Sequence, residues 1–198
     1  SFIKKVHKET GDAPIFLYGE SLGSLIIMHG NSYLDESIKE TIKGVIYASP
    51  LIALPGELPP VKNFIVRLAM FLFPKMKISI KSLASNQNAQ VTSETDHWEQ
   101  MAKTPHFVPK YTLRTLGSIE DLVYSSKEVA PRITKPTLIL YPGKDVFTRP
   151  DQVDQFFGNL KSKDKKKHLF KESHHLLAFD KEKERLFEIV EQWINKRL

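Results

Sequence analysis

The chain has 198 residues, 41% of them apolar and 26% charged, with a formal net charge of +6. That is the length of one globular domain with an ordinary composition, long enough to bury a core. It holds no cysteine, which excludes disulfides and a thiol nucleophile, and no apolar run reaches the length of a membrane span.

Residues 1–9 read as the back half of an amphipathic helix, with no initiator Met and no signal peptide. The expectation is that an N-terminal part of the protein is missing. Ile15-Phe16-Leu17-Tyr18 follows Ala13-Pro14 and is too short for a helix, so it predicts a buried strand. Small and apolar residues over 22–30, ending at Gly30-Asn31, predict a helix. Val45–Ala48, closed by Ser49-Pro50, and Thr137–Tyr141, closed by Pro142-Gly143, predict two further buried strands. His168–Phe170 is a weaker fourth. A helix is expected near 151–159.

The last helix is the clearest periodic segment. Leu186, Ile189, Val190, Trp193 and Ile194 fall on one face, with Asp180 placed as N-cap and Glu182 and Glu184 in the first turn. Strands alternating with helices imply an α/β fold, a parallel sheet covered on both faces. The lysine run Lys161, Lys163, Lys165, Lys166 and Lys167 reads as a solvated loop. It lacks the interleaved aromatics or arginines of a nucleic-acid footprint, while an anionic lipid surface stays open as a partner.

Residues 51–131 break the alternation. Prolines recur at 55, 59, 60, 74, 105, 109 and 131, and Phe64, Ile65, Leu68, Phe71 and Leu72 form an apolar stripe on a predicted helix. An insertion of roughly 80 residues is too long for a plain loop. It predicts a helical cap (51–131) between two core parts, residues 1–50 and 132–198.

Gly19-Glu20-Ser21-Leu22-Gly23 stands between the first strand and its helix. In G-x-S-x-G the serine occupies a sharp, strained turn that lifts its hydroxyl off the sheet, and the two glycines let the chain approach itself closely. The helix start offers the Leu22 N–H and a positive dipole end to a developing oxyanion. A serine nucleophile needs a base, and the base needs a group that fixes its tautomer. With this elbow the chain order is serine, acid, histidine. Asp145, in Tyr-Pro-Gly-Lys-Asp past the third strand, is the candidate acid, because it lies at the carboxyl end where parallel sheets place their sites. Asp151 and Asp154 read as cap and surface of the next helix. His174 and His175 are the candidate bases. No metal or cofactor is implied, since the remaining histidines show no ligand spacing with acidic neighbours.

These motifs resemble α/β-hydrolases of the monoacylglycerol lipase, lysophospholipase and carboxylesterase type. The resemblance rests on residues 16–23, on Pro136–Asp145 and on Ser173–Asp180, and it extends over essentially the whole chain. It implies Ser21, Asp145 and His175 as the triad, with His174 where a small residue usually sits. It implies a small-molecule ester or lipid substrate. It also implies that Phe64, Leu68 and Phe71, with Ile65 and Leu72, line an acyl pocket or meet a membrane surface transiently; the alternative is that the stripe packs the cap onto the core. Two departures stand out. Ser24 replaces a further glycine, and nothing before Ser21 supplies the second oxyanion donor, which in such enzymes comes from a loop after an early strand. Two other readings follow from these features, a non-catalytic interaction protein of the same fold and an inactive fragment of a longer esterase. Oligomeric state stays open.

Overall fold

The computed structural model describes all residues except 1, 12, 55–58, 80–89 and 95. The elements in chain order are α1 (Phe2–Thr10), β1 (Ile15–Glu20), α2 (Leu22–Gly30), α3 (Glu36–Thr41), β2 (Ile42–Ala48), α4 (Pro60–Leu72), β3 (Lys77–Ser79), α5 (His97–Ala102), β4 (Lys110–Thr112), α6 (Leu113–Val129), β5 (Thr137–Pro142), α7 (Pro150–Asn159), β6 (Lys165–Phe170) and α8 (Lys183–Asn195). The main sheet runs β1-β2-β5-β6 with every pair parallel. All four strands therefore end at the same edge.

Period-2 alternation divides the core between the two faces of the sheet. Val45, Tyr47, Ile139 and Tyr141 point to one face and pack with Met28 of α2 and Val153 and Phe156 of α7. Ile46, Ala48, Leu138 and Leu140 point to the other and pack with Leu186 and Trp193 of α8. Leu138, Ile139 and Leu140 are wholly buried, each burial stabilising the fold by at most about 1.5–3 kcal/mol. Trp193 crosses β2 so closely that a Cβ on Gly44 would lie 2.4 Å from its ring. Local chemistry sets several helix ends. Thr112 accepts from the Thr115 N–H to start α6, and Pro150 occupies the first turn of α7 while the Arg149 N–H donates to Gln152.

Three expectations change. The lysine run is not a solvated loop throughout: Lys165, Lys166 and Lys167 open the edge strand β6. Lys165 donates to the carbonyls of Phe157 (2.9 Å) and Leu160 (2.8 Å) at the end of α7, and Lys167 pairs with Asp154. Cations there satisfy a helix C-terminus and keep an open strand edge polar. Asp180 does not cap α8, whose N-cap position is Glu182; it turns inward instead, as described below.

The third change concerns the insertion. Within 51–131, α4 is followed by a small antiparallel pair, β3 with β4, whose strands flank α5 in the chain. α6 lies along α2, where Val123 packs on Leu25 and the Leu122 carbonyl bonds His29 Nε2 at 2.9 Å. It thus belongs to the layer that covers the sheet. Pro55, and the parts of the insertion at 55–58, 80–89 and 95, lie outside the described residues.

Candidate active site

The carboxyl edge of the sheet gathers three side chains from widely separated parts of the chain. Ser21 directly follows β1, Asp145 lies three residues past β5, and His175 lies five past β6. Ser21 Oγ is 2.7 Å from His175 Nε2. His175 Nδ1 is 3.0 and 3.1 Å from the two oxygens of Asp145. The carboxylate can only accept, so Nδ1 carries the proton and Nε2 accepts from the serine hydroxyl. His175 and Asp145 side chains are 3% and 1% exposed.

Each residue is held by its surroundings. Ser21 has φ 54° and ψ −118°, a conformation that costs about 1–3 kcal/mol for a non-glycine residue. Its N–H donates to the Ala48 carbonyl (3.0 Å) at the end of β2, and its own carbonyl accepts from the Ser24 N–H (3.0 Å) and the Ser24 hydroxyl (2.6 Å). Ser24 is thus used where the resemblance leads one to expect glycine. The close approach at the elbow is one-sided. A Cβ on Gly19 would lie 2.5 Å from the backbone of Gly23, whereas one on Gly23 would meet nothing within 4 Å. The expectation that both glycines are sterically required therefore holds only for Gly19.

Asp145 is fixed by the Phe147 N–H, which donates to its Oδ1 at 2.8 Å. The Phe147 ring meets the His175 ring edge-on, with centroids 4.6 Å apart. Its loop is tied to the end of β2 by the Thr148 hydroxyl, which donates to the Pro50 carbonyl at 3.0 Å.

The two adjacent histidines part ways. His174 turns from the serine and pairs with Asp180, which accepts from its N–H (2.8 Å) and its Nδ1 (2.9 Å). Asp180 also accepts from the Ser93 hydroxyl and the Lys181 N–H. Burial alone would raise the Asp180 carboxyl; these hydrogen bonds outweigh it and hold the group below its ordinary range. The Val91 carbonyl accepts from the Leu176 N–H (2.8 Å), and Glu182 accepts from the Ser173 hydroxyl and the Glu172 N–H (both 3.0 Å). The segment that carries His175 is thereby braced at both ends.

The cap residues are placed differently. Phe64, Leu68 and Phe71 lie on α4, which buries no side chain; Phe64 is 67% exposed and Phe71 80%. Phe71 borders a hollow with Arg67, Met70, Leu113 and Gly117, not one with Ser21. The structure does not bring these three to the serine. Another apolar group does lie there. Leu22, the first residue of α2, packs in one cluster with Leu51, Leu54, Ile119 and Phe147, and Phe147 is the residue on His175. Apart from Leu22, these were not singled out from the sequence, where isolated apolar residues after Pro50 and in α6 carry no distinguishing pattern.

The comparisons with known proteins bear on the family and the fold. The family model described as serine aminopeptidase, S33 (Hydrolase_4) matches residues 1–182. An uncharacterized abhydrolase domain-containing protein of Dictyostelium discoideum is 26% identical over 191 residues, which is 94% of this chain and 19% of that protein. The chain thus spans about a fifth of that relative's length. Among solved structures, a monoacylglycerol lipase of Paleococcus ferrophilus is similar with a TM-score of 0.77 at 22% identity, over 100% of this chain and 74% of that one. A soluble variant of the Saccharomyces cerevisiae monoglyceride lipase gives 0.78 at 20%, over 99% and 67%. A carboxyl esterase of Bacillus coagulans gives 0.74 at 16%, over 98% and 68%. The sheet, its helices and the family match together place this chain in the Hydrolase_4 family of α/β-hydrolases.

Proposed function

We propose that the protein is a serine hydrolase of carboxylic esters, with Ser21 as nucleophile, His175 as general base and acid, and Asp145 as the group that orients it. The observation that carries this is the line of hydrogen bonds from Ser21 Oγ through His175 to Asp145. In the first half-reaction Ser21 Oγ bonds to the ester carbonyl carbon as its proton passes to His175 Nε2. The Leu22 N–H, at the start of α2 where no intrahelical acceptor exists, faces the developing oxyanion. The tetrahedral species expels the alcohol, which takes the proton from Nε2 and leaves the acyl group on Ser21. Water then attacks the acyl-enzyme, giving its proton to Nε2, and the carboxylic acid departs as Ser21 Oγ recovers that proton.

The apolar residues around Leu22, Leu51, Leu54 and Phe147 support an acyl chain as the bound group, and with it a lipid-like or small acyl ester. In this reading the exposed face of α4 has a separate task. It meets a membrane surface transiently, where substrate of low solubility resides. Charge supports that partner: from 59 to 93 the chain carries Lys62, Arg67, Lys75, Lys77 and Lys81 and no acidic residue, a balance that favours anionic lipid.

A fluorophosphonate probe tests the assignment, applied to the 198-residue chain and to any longer form of the protein. One label on Ser21, lost in Ser21→Ala together with at least about 10⁴-fold in ester turnover, is the expected result. No labelling in either form would support the non-catalytic reading. A substrate series of 4-nitrophenyl esters from acetate to decanoate, with an aminoacyl 4-nitroanilide beside it, then separates esterase from the peptidase that the family description names.

A further inference from the structure

The carbonyl of the nucleophile is held twice by one residue. Ser24, in the first turn of α2, is wholly buried. Its N–H donates to the Ser21 carbonyl at 3.0 Å, and its hydroxyl donates to the same oxygen at 2.6 Å, at the short end of the usual range. A glycine or alanine at this position would keep the first bond and lose the second. Alanine would fill almost the same space without a hydroxyl that needs an acceptor, and a buried hydroxyl left unpaired costs free energy. Here the acceptor is the nucleophile's own carbonyl.

That carbonyl shares a peptide unit with the Leu22 N–H. The unit is planar and trans, so its C=O and N–H point opposite ways and turn as one body about the ψ bond of Ser21. That ψ is −118°, paired with φ 54°, outside the favoured regions. A peptide unit left unheld would relax toward a commoner angle and carry the N–H with it. Two donors on the carbonyl oxygen oppose that rotation. They also polarise the unit: a hydrogen bond accepted by an amide oxygen draws charge through the conjugated group and makes its N–H a better donor, by about 10–30% per bond.

We propose that Ser24 is a positioning residue for the oxyanion donor: acting through the Ser21 carbonyl, its hydroxyl aims the Leu22 N–H and strengthens it. The inference rests on the serine-hydrolase reading above, in which that N–H meets the oxyanion. A second serine shows what is particular to Ser24. Ser126, 3% exposed in α6, donates its hydroxyl to the Val123 carbonyl three residues back at 2.7 Å, so this bond is an ordinary way for a buried helical serine to find an acceptor. At Ser24 the acceptor belongs to the peptide unit that joins the nucleophile to its oxyanion donor.

Ser24→Ala tests this, with Ser24→Gly as a second truncation and Ser126→Ala as the matched loss of a hydroxyl elsewhere. Each is measured, in whichever form of the protein takes the fluorophosphonate label, with a short 4-nitrophenyl ester and with an alkyl trifluoromethyl ketone, which binds as a tetrahedral adduct bearing an oxyanion. An oxyanion donor is worth about 10²–10³ in rate. Weakening it by about a tenth to a third predicts a fall in kcat of about two- to eightfold, with KM near the parent value. The inhibition constant of the ketone should rise by the same factor, and Ser126→Ala should change neither. An unmoved inhibition constant in Ser24→Ala, or a change confined to KM, would overturn the proposal. So would an equal effect of Ser126→Ala, or failure of both truncations at Ser24 to fold, since the hydroxyl would then serve the fold alone. Labelling of the parent is read first. Its failure defeats the serine-hydrolase reading and this one together, whereas labelling with an unmoved inhibition constant defeats this one alone.

Discussion

The carboxyl edge of the sheet and helix α4 both announce themselves in the sequence, and the fold treats them in opposite ways. At the sheet edge, polar groups are buried and each is held by several bonds: His175 and Asp145 are almost inaccessible, and Ser21 keeps a strained backbone because β2 and Ser24 hold it. On α4, apolar groups are exposed with little holding them; Phe64, Ile65, Leu68, Phe71 and Leu72 all face solvent. Both arrangements are costly for an isolated fold. Burying a polar constellation gives up hydration that its internal hydrogen bonds must replace, and exposing a large apolar patch invites association. Among the described residues, the first cost is met by contacts inside the chain and the second is not.

The contrast is sharpened most by removing a partner from the edge. Asp145→Asn keeps the shape but puts an amide N–H where His175 Nδ1 needs an acceptor, so the imidazole takes the wrong tautomer. Turnover of a short ester should fall about 10³–10⁴-fold with KM little changed. A loss of less than tenfold would show that Asp145 does not orient the base.

Gly19→Ala comes next. The added methyl would lie 2.5 Å from Gly23 backbone atoms, and those atoms belong to the turn that sets Ser21. Destabilisation of about 2–4 kcal/mol is expected from the forced backbone shift, read as the midpoint of urea unfolding, with labelling of Ser21 slowed as well. Gly23→Ala is the matched control and should cost less than about 1 kcal/mol. Equal effects at both positions would refute the one-sided approach at the elbow.

How much of this could be read from residues alone depends on whether an element carries its own signal. β1, β2 and β5 were legible because each is a short apolar run bounded by breakers, and α8 because its apolar positions repeat at helical spacing. The family resemblance and the chain order serine–acid–histidine pointed to Ser21, Asp145 and His175, and the structure brings those side chains within hydrogen-bond distance. Elements whose polarity is set by neighbours were not legible. Lys165 and Lys167 look like loop residues until the end of α7 and Asp154 are beside them. β3 and β4 are three residues each and rely on one another. Asp180 has the spacing of a helix cap, but Ser93, 87 residues earlier in the chain, and His174 claim its oxygens first. Leu51, Leu54 and Phe147 form a group only through the fold.

Asp180 also gives the comparison a pH dependence. Its carboxyl is held below the ordinary range in the folded chain, so the unfolded chain binds the proton more tightly. The stability it contributes is complete above the unfolded value of about 3.9 and is lost as pH falls through the lower folded value. The melting temperature should thus decline below about pH 4, and Asp180→Asn should flatten that decline while lowering stability at neutral pH. An unchanged slope in Asp180→Asn would mean that other carboxylates carry the acid sensitivity.

The smallest effect on stability is expected on α4, and that smallness is the point. Phe71 is 80% exposed, so Phe71→Ser should shift the unfolding free energy by no more than about 0.5 kcal/mol and leave hydrolysis of a short soluble ester unchanged. If the face meets lipid, the same substitution should weaken sedimentation with vesicles of phosphatidylcholine and phosphatidylglycerol, and raising the salt should weaken it further. A clear loss of stability would show instead that the apolar stripe packs within the folded protein. Unchanged vesicle binding would separate α4 from the lipid surface and leave the apolar group beside Phe147 as the sole proposed acyl contact.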